Sequence, residues 1–124
     1  MLNLDTHILV KMLAGDLTPG ESDLILNEDL AISDIVFWEL SKLVQLGRIQ
    51  IDLDSVLFRR ALRSLTVIPV SLAIARQSTQ LDFSSDPADE IIAATSVVEK
   101  VPLLTRDKKI LSSRMVPFAN KSYS

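Results

Sequence analysis

Short apolar runs alternate along this chain with stretches of helical periodicity. Met1-Leu2-Asn3-Leu4 opens it as a buried strand that closes at Asp5. Thr6 to Ala14 carries apolar residues at helical spacing and stops at Gly15-Asp16. Thr18-Pro19-Gly20 is a turn, and Glu21 to Asn27 a second short helix. Leu30 to Ile32 reads as a strand, Ser33 as an N-cap, and Asp34 to Leu46 as a helix closed by Gly47. Ile49 to Leu53 is a loop or short extended piece, after which Asp54 caps a helix through Ser64. The β-branched run Thr66 to Val70 is a strand broken by Pro69, and Ser71 starts a helix to about Leu81. Asp86 caps a helix from Pro87 to about Lys100, with proline at its first position. Leu103 to Thr105 is a strand, Asp107 caps a short helix to about Ser112, and Met115 to Phe118 is a last edge strand before the fraying tail. Strands alternating with helices predict an α/β protein, a three-layer α/β/α sandwich around a mostly parallel sheet.

Composition narrows the class. The 124 residues suit one domain, and 48% hydrophobic content with a mean hydropathy of +0.28 supports an aliphatic core. Cysteine is absent and His7 is the one histidine, which excludes disulfides, thiolate zinc sites, cysteine nucleophiles and a two-histidine HExxH site. No GxSxG elbow, P-loop or GxGxxG occurs. No signal peptide or membrane-length apolar run is apparent, so a cytoplasmic protein is expected. The net charge of −3 argues against strong sequence-independent nucleic-acid binding. The C-terminal stretch is nonetheless basic, with Lys100, Arg106, Lys108, Lys109, Arg114 and Lys121 against Asp107 alone. It is either a local phosphate-binding surface or a solvated one.

Four carboxylates stand out. Parallel sheets place ligand sites beyond the carboxyl ends of their strands, where Asp5 and Asp107 fall. Glu39 lies within the apolar stripe of Val36, Leu40, Leu43 and Val44, where an unpaired charge is costly. Asp89 opens the helix after Asp86-Pro87 and shares a face with the small residues Ala93 and Ser96. Each has an ordinary alternative: Asp5, Asp86 and Asp107 as helix caps, Asp89 as a dipole-favoured acid in a first turn, Glu39 as the partner of Lys42. If the four converge, they form an oxygen-only pocket that requires a cation, because close carboxylates repel.

In order along the chain, Leu4-Asp5-Thr6-His7-Ile8-Leu9-Val10, Trp38-Glu39-Leu40-Ser41-Lys42-Leu43, Asp86-Pro87-Ala88-Asp89-Glu90-Ile91-Ile92-Ala93-Ala94-Thr95 and Leu104-Thr105-Arg106-Asp107 resemble the four motifs of PIN-domain proteins. The resemblance spans residues 1 to about 112 and is greatest to the VapC toxins of prokaryotic toxin–antitoxin pairs. It implies a single PIN-like domain over residues 1–124. It also implies that Asp5, Glu39, Asp89 and Asp107 hold Mg²⁺ or Mn²⁺, with Thr6 and Thr105 as supporting hydroxyls. Further implied are a metal-dependent endoribonuclease, a cognate antitoxin that silences it, and a homodimer. Hydrolysis by a metal-activated water, with Asp5 and Asp89 as the foremost ligands, would leave a 5′-phosphate and a 3′-hydroxyl without a histidine base. Glu90 stands where many relatives carry arginine, Ser84-Ser85 where a basic or histidine residue is common, and the tail from Ala119 to Ser124 lacks an apolar ending.

Of three other functions, the first fits the pattern equally and the other two fit less of it. A PIN-fold binding module with a weak or inactive metal site, acting through its protein partner, differs only in cleavage. A receiver-type phosphoacceptor wants an acidic pair after the first strand, where Thr6 follows Asp5. A haloacid-dehalogenase-type phosphatase wants Asp-x-Asp-x-Thr, and Asp5-Thr6-His7 lacks the second acid. For an antitoxin helix, Ile8, Leu9, Met12, Leu13, Leu24, Ile25, Leu40 and Leu43 offer either a groove or simply the cover of the sheet.

Overall fold

A computed structural model describes residues 1–120; Lys121 and the last three residues of the tail lie outside the described residues. Its sheet has four parallel strands, β1 (Leu2–Leu4), β2 (Leu30–Ser33), β3 (Leu65–Ile68) and β4 (Leu103–Leu104), in the order β3-β2-β1-β4. Asn3 pairs with Ala31 on one side and Leu103 on the other, and Leu30 with Leu65. Parallel neighbours require crossovers, and the helices supply them: α1 (Thr6–Ala14), α2 (Pro19–Leu26), α3 (Ile35–Gln45), α4 (Val56–Arg63), α5 (Leu72–Gln77), α6 (Pro87–Glu99) and α7 (Lys108–Leu111). The predicted α/β architecture, a central parallel sheet flanked by helices, is the one observed. Among the described residues no helix is long and apolar enough to cross a membrane.

The strands β1, β2 and β4 are short and mostly aliphatic because helices cover them, while the edge strand β3 leaves Thr66 and Val67 exposed. Leu4, Ile32, Leu103 and Leu104 are fully buried against Ile8, Leu9, Val36, Leu40, Ile92 and Ile110. Asn3 is the polar exception on the central strand. Its Nδ2 donates to the Ile92 carbonyl at 3.1 Å and to Ser96 Oγ at 2.9 Å, pinning α6 across the sheet. The small side chains of Ala93 and Ser96 allow that close approach.

Several boundaries differ from the sequence reading, among them the start of α2, where Pro19 and Gly20 belong to the helix and Thr18 caps it rather than forming a turn. Ser33 ends β2 and its hydroxyl accepts from the Ile35 amide at 3.3 Å, as expected of a cap, while Asp34 is the residue that precedes α3 and its carboxylate accepts from the Val70 amide at 3.2 Å instead of capping the helix. Ser55, rather than Asp54, caps α4 by accepting from the Phe58 amide at 3.1 Å. α5 stops at Gln77, because the Ser78 and Thr79 hydroxyls donate to the carbonyls of Ala75 and Arg76 and compete with further helix. The expected last strand shrinks to one parallel bridge between Leu103 and Phe118, since Pro117 has no amide to extend a ladder.

Of the eight apolar residues offered as a groove, Ile8, Leu9 and Leu40 are buried, Met12, Leu13, Leu24 and Ile25 pack partly against the core, and Leu43 is half-buried. Most of them cover the sheet, while Leu13 also reaches a surface hollow. The apolar surface left open lies elsewhere, at Trp38, Leu46, Val56, Leu57 and Leu72.

Candidate metal centre

β1 delivers Asp5 to the carboxyl edge of the sheet, where the chain turns into α1. The residue is extended (φ −64°, ψ 151°), and its carboxylate accepts from the Thr6 amide at 2.8 Å. It is therefore a helix cap, as its alternative reading had it, but its other oxygen does separate work. Oδ2 accepts from the Thr105 hydroxyl at 2.6 Å, 100 residues away in sequence. Glu39 reaches the same place from the second turn of α3 and accepts from the Thr6 hydroxyl. Lys42, the ordinary partner considered for it, donates instead to Gln45 at 3.1 Å. Asp89 comes from the first turn of α6, and its Oδ2 accepts from Ser85 Oγ at 2.9 Å.

Asp5, Glu39 and Asp89 each offer one carboxylate oxygen, and all three oxygens lie within 4.8 Å of one another. Asp107 stands just outside this trio. Its Oδ1 caps α7, accepting from the amides of Lys109 at 2.8 Å and Ile110 at 3.2 Å. With Asp5, His7, Lys11 and Arg106 it lines a cavity of about 260 Å³ at the same edge of the sheet. The Thr105 hydroxyl joins the two acids, since it donates to Asp5 and accepts from the Asp107 amide at 3.0 Å.

The electrostatics follow from the crowding. Burial raises the Asp5 carboxyl, opposed by the Thr105 hydrogen bond, with the Asp107 charge a lesser upward push. Glu39 is raised by burial and, more weakly, by Asp5. Asp89 is pushed up from 3.8 to about 6, by burial first and then by the charges of Asp5, Glu39 and Asp107. The trio therefore resists being fully ionised together unless a positive charge is present. Three hard oxygen donors without nitrogen or sulfur suit Mg²⁺ or Mn²⁺, so the donor set fits the ion that the sequence motifs imply.

A raised carboxyl pKa makes ionisation costly to the folded state. As pH rises from about 4 through about 6, the Asp89 contribution should lower the stability of the cation-free protein by roughly 2 kcal/mol. Urea unfolding at pH 4 and pH 7.5 measures this, and millimolar Mn²⁺ should restore the loss at the higher pH. Equal stability at both pH values would contradict the crowding.

Glu21 and Arg106 support the site from outside and were not legible in the sequence. Glu21 is buried near the start of α2, in a capping box with Thr18, and its two oxygens take Arg106 Nε at 2.7 Å and Nη2 at 2.5 Å. This holds the Glu21 carboxyl down at about 2. The pair ties α2 to the chain between Thr105 and Asp107. Since Arg106 is partly exposed, Glu21→Gln should cost only about 1 kcal/mol in urea unfolding at pH 7. That contribution fades as pH falls from 4.5 toward 2, when the carboxylate protonates.

Residues 3–113 match the PIN domain family. The chain is 30% identical over 91 residues to "Ribonuclease VapC22" of Mycobacterium tuberculosis, covering 70% of this chain and 69% of that protein. A toxin–antitoxin complex from Klebsiella pneumoniae contains a chain 25% identical to this one, with a TM-score of 0.66 and coverage of 90% and 91%. VapBC2 from Rickettsia felis, solved with a DNA fragment from its promoter, is 21% identical with a TM-score of 0.73 over 95% and 97% of the two chains. This chain belongs to the PIN-domain family. Within that family it is of the VapC toxin type.

Proposed function

We propose that this protein is a divalent-cation-dependent endoribonuclease toxin that hydrolyses RNA phosphodiesters in the cytoplasm and is silenced by a cognate antitoxin. The convergence of Asp5, Glu39 and Asp89 carries the reading, because carboxylates gathered this closely, two of them buried and Glu39 half-buried, repel one another unless a cation lies between them. In this reading Asp5, Glu39 and Asp89 hold Mg²⁺ or Mn²⁺, and Asp107 completes the site from the cavity wall. The cation supplies Lewis acidity, which neutralises phosphate charge and acidifies water at neutral pH. Thr6, Thr105 and Ser85 hold the carboxylates in place. Lys11 places positive charge on the cavity beside Asp5 and Asp107, where the Arg106 charge is already offset by Glu21, and this favours entry of a phosphodiester despite the negative net charge. The products are a 5′-phosphate and a 3′-hydroxyl. Purified chain freed of antitoxin should cut RNA internally with Mn²⁺ or Mg²⁺ and not with EDTA. Intact RNA under both conditions would favour a binding module with an inactive site.

Two adjoining hollows support an antitoxin site. Val10, Leu13, Ala14 and the Ile49-Gln50-Ile51 segment line one of about 250 Å³. Leu13, Gln50, Ile51, Ser55, Leu57 and Phe58 line another of about 220 Å³. Together they run between α1 and α4, and Leu57 there is 77% exposed. An amphipathic antitoxin helix seated in this groove accounts for that exposure. Leu57→Asp should weaken antitoxin binding at least tenfold in calorimetry while the free toxin still cuts RNA; unchanged affinity would place the antitoxin elsewhere. A homodimer belongs to the same reading, and the exposed Phe37 and Trp38 of α3 and Leu72 of α5 support it. Sedimentation of the toxin alone tests it.

A further inference from the structure

The second hollow beside the carboxylate trio is polar, and the mechanism leaves it unused. It holds about 330 Å³ and is lined by Ser78, Thr79, Leu81, Phe83, Ser84, Pro87, Glu90 and Ile91. Its position is fixed by two pairs of consecutive residues. Ser85 and Asp89 are hydrogen-bonded at the candidate metal centre, while their neighbours Ser84 and Glu90 line this pocket. The pocket therefore opens round the corner of α6 from the trio.

Its polar groups ask for a donor-rich ligand. The Ser78 and Thr79 hydroxyl protons are committed to the Ala75 and Arg76 carbonyls at 2.6 and 2.7 Å, so those oxygens offer only lone pairs. The Glu90 carboxylate accepts no hydrogen bond among the described residues. The Ser84 hydroxyl makes none among them either, and remains the one side-chain donor in the lining that is free to turn. Leu81, Phe83, Pro87 and Ile91 supply apolar surface for a flat ring. A carboxylate takes two parallel hydrogen bonds when the ligand presents two adjacent N–H groups. Of the four RNA bases only guanine does so, with N1–H and the N2 amino group side by side and the O6 acceptor next to them. Adenine and cytosine offer one amino group beside a ring nitrogen lone pair, which would face the second carboxylate oxygen. Uracil sets its single N–H between two carbonyls.

We propose that this pocket takes an unstacked guanine base of the RNA substrate next to the scissile phosphate. Glu90 receives N1–H and N2–H, Ser84 donates to O6, and the apolar walls hold the ring. The proposal rests on the ribonuclease reading for its substrate, but the pocket can be tested without cleavage. It also gives Glu90, an acid where many relatives carry a base, a task that arginine could not perform.

Amide chemical shifts of the full chain, titrated without metal with guanosine, inosine and adenosine 5′-monophosphates, test the pocket alone. Saturable shifts are expected at Ser84, Glu90 and Ile91 with the guanine nucleotide. Inosine lacks the N2 amino group and should bind about tenfold more weakly, and Glu90→Gln should erase the difference between the two. Ser84→Ala should weaken guanine binding by a smaller factor. Equal binding of the three nucleotides, or shifts that avoid the pocket, overturns the proposal. A second experiment moves a single guanine along an otherwise uniform RNA oligonucleotide. The Mn²⁺-dependent cut should move with it, and Glu90→Gln should reduce the preference for guanine over adenine about tenfold. Cuts indifferent to guanine overturn the proposal. Guanine-selective shifts in a protein that cuts no RNA uphold the pocket and defeat the nuclease reading instead.

Discussion

Replacing Asp5 with asparagine should reduce Mn²⁺-dependent RNA cleavage about a thousandfold or to background, which corresponds to roughly 4 kcal/mol of lost transition-state stabilisation. Asparagine keeps the shape of the side chain and an oxygen that can accept the Thr6 amide, so α1 retains its cap. What disappears is a negative charge at the centre of the trio. The same loss should make the cation-free protein more stable at pH 7.5, because the charge that raises Glu39 and Asp89 is gone. Circular dichroism melts should therefore rise by a few degrees while activity falls. A variant that melts lower and loses activity would indicate a structural acid. One that cuts RNA at the normal rate would end the proposed mechanism.

Thr105→Val should give the second largest effect. Valine matches threonine in shape but removes the hydroxyl that donates to Asp5 Oδ2 and accepts from the Asp107 amide. Thr105 and Asp5 are both buried, so water does not replace the lost partner easily. An unsatisfied buried carboxylate oxygen costs about 1–3 kcal/mol in stability. Freeing the carboxylate to rotate should weaken metal binding and cleavage by about 10- to 100-fold. Thr105→Ser restores the hydroxyl and should recover most of both. Mn²⁺ calorimetry and RNA cleavage on the three proteins check this. If valine and serine behave alike, the hydroxyl has no part in placing Asp5.

The residues themselves show why some of this was legible in sequence. Glu39 was visible because a carboxylate in an apolar stripe needs a reason, and its place beside Thr6 and Asp5 supplies one. Asp5 and Asp107 were ambiguous because they do two things: each caps a helix by its position in the chain, and each faces the cavity by its position in the fold. The cap of α4 fell at Ser55, one residue from the expected place, since Asp54-Ser55 is a pair of capping residue types, and at α3 the same pairing splits the work, Ser33 supplying the hydroxyl and Asp34 the position before the helix. Which member of such a pair caps is decided by the folded backbone, not by residue type. The bond between Glu21 and Arg106 left no local trace, because it joins residues 85 positions apart. Glu21 looked like an ordinary helix residue. Four acids were expected together, and three oxygens meet, with Asp107 one step away across the Thr105 hydroxyl. Which surface stays open after the sheet is covered was equally hidden, because Leu57 and Leu13 have the same chemistry and only packing separates them.

The most direct measurement is anomalous diffraction from crystals of the protein soaked in Mn²⁺. A peak ligated by carboxylate oxygens of Asp5, Glu39 and Asp89, absent from Asp5→Asn crystals soaked in the same way, is the predicted result. An ordered wild-type site with those three side chains in place and no manganese between them, at concentrations that support RNA cleavage, would contradict it.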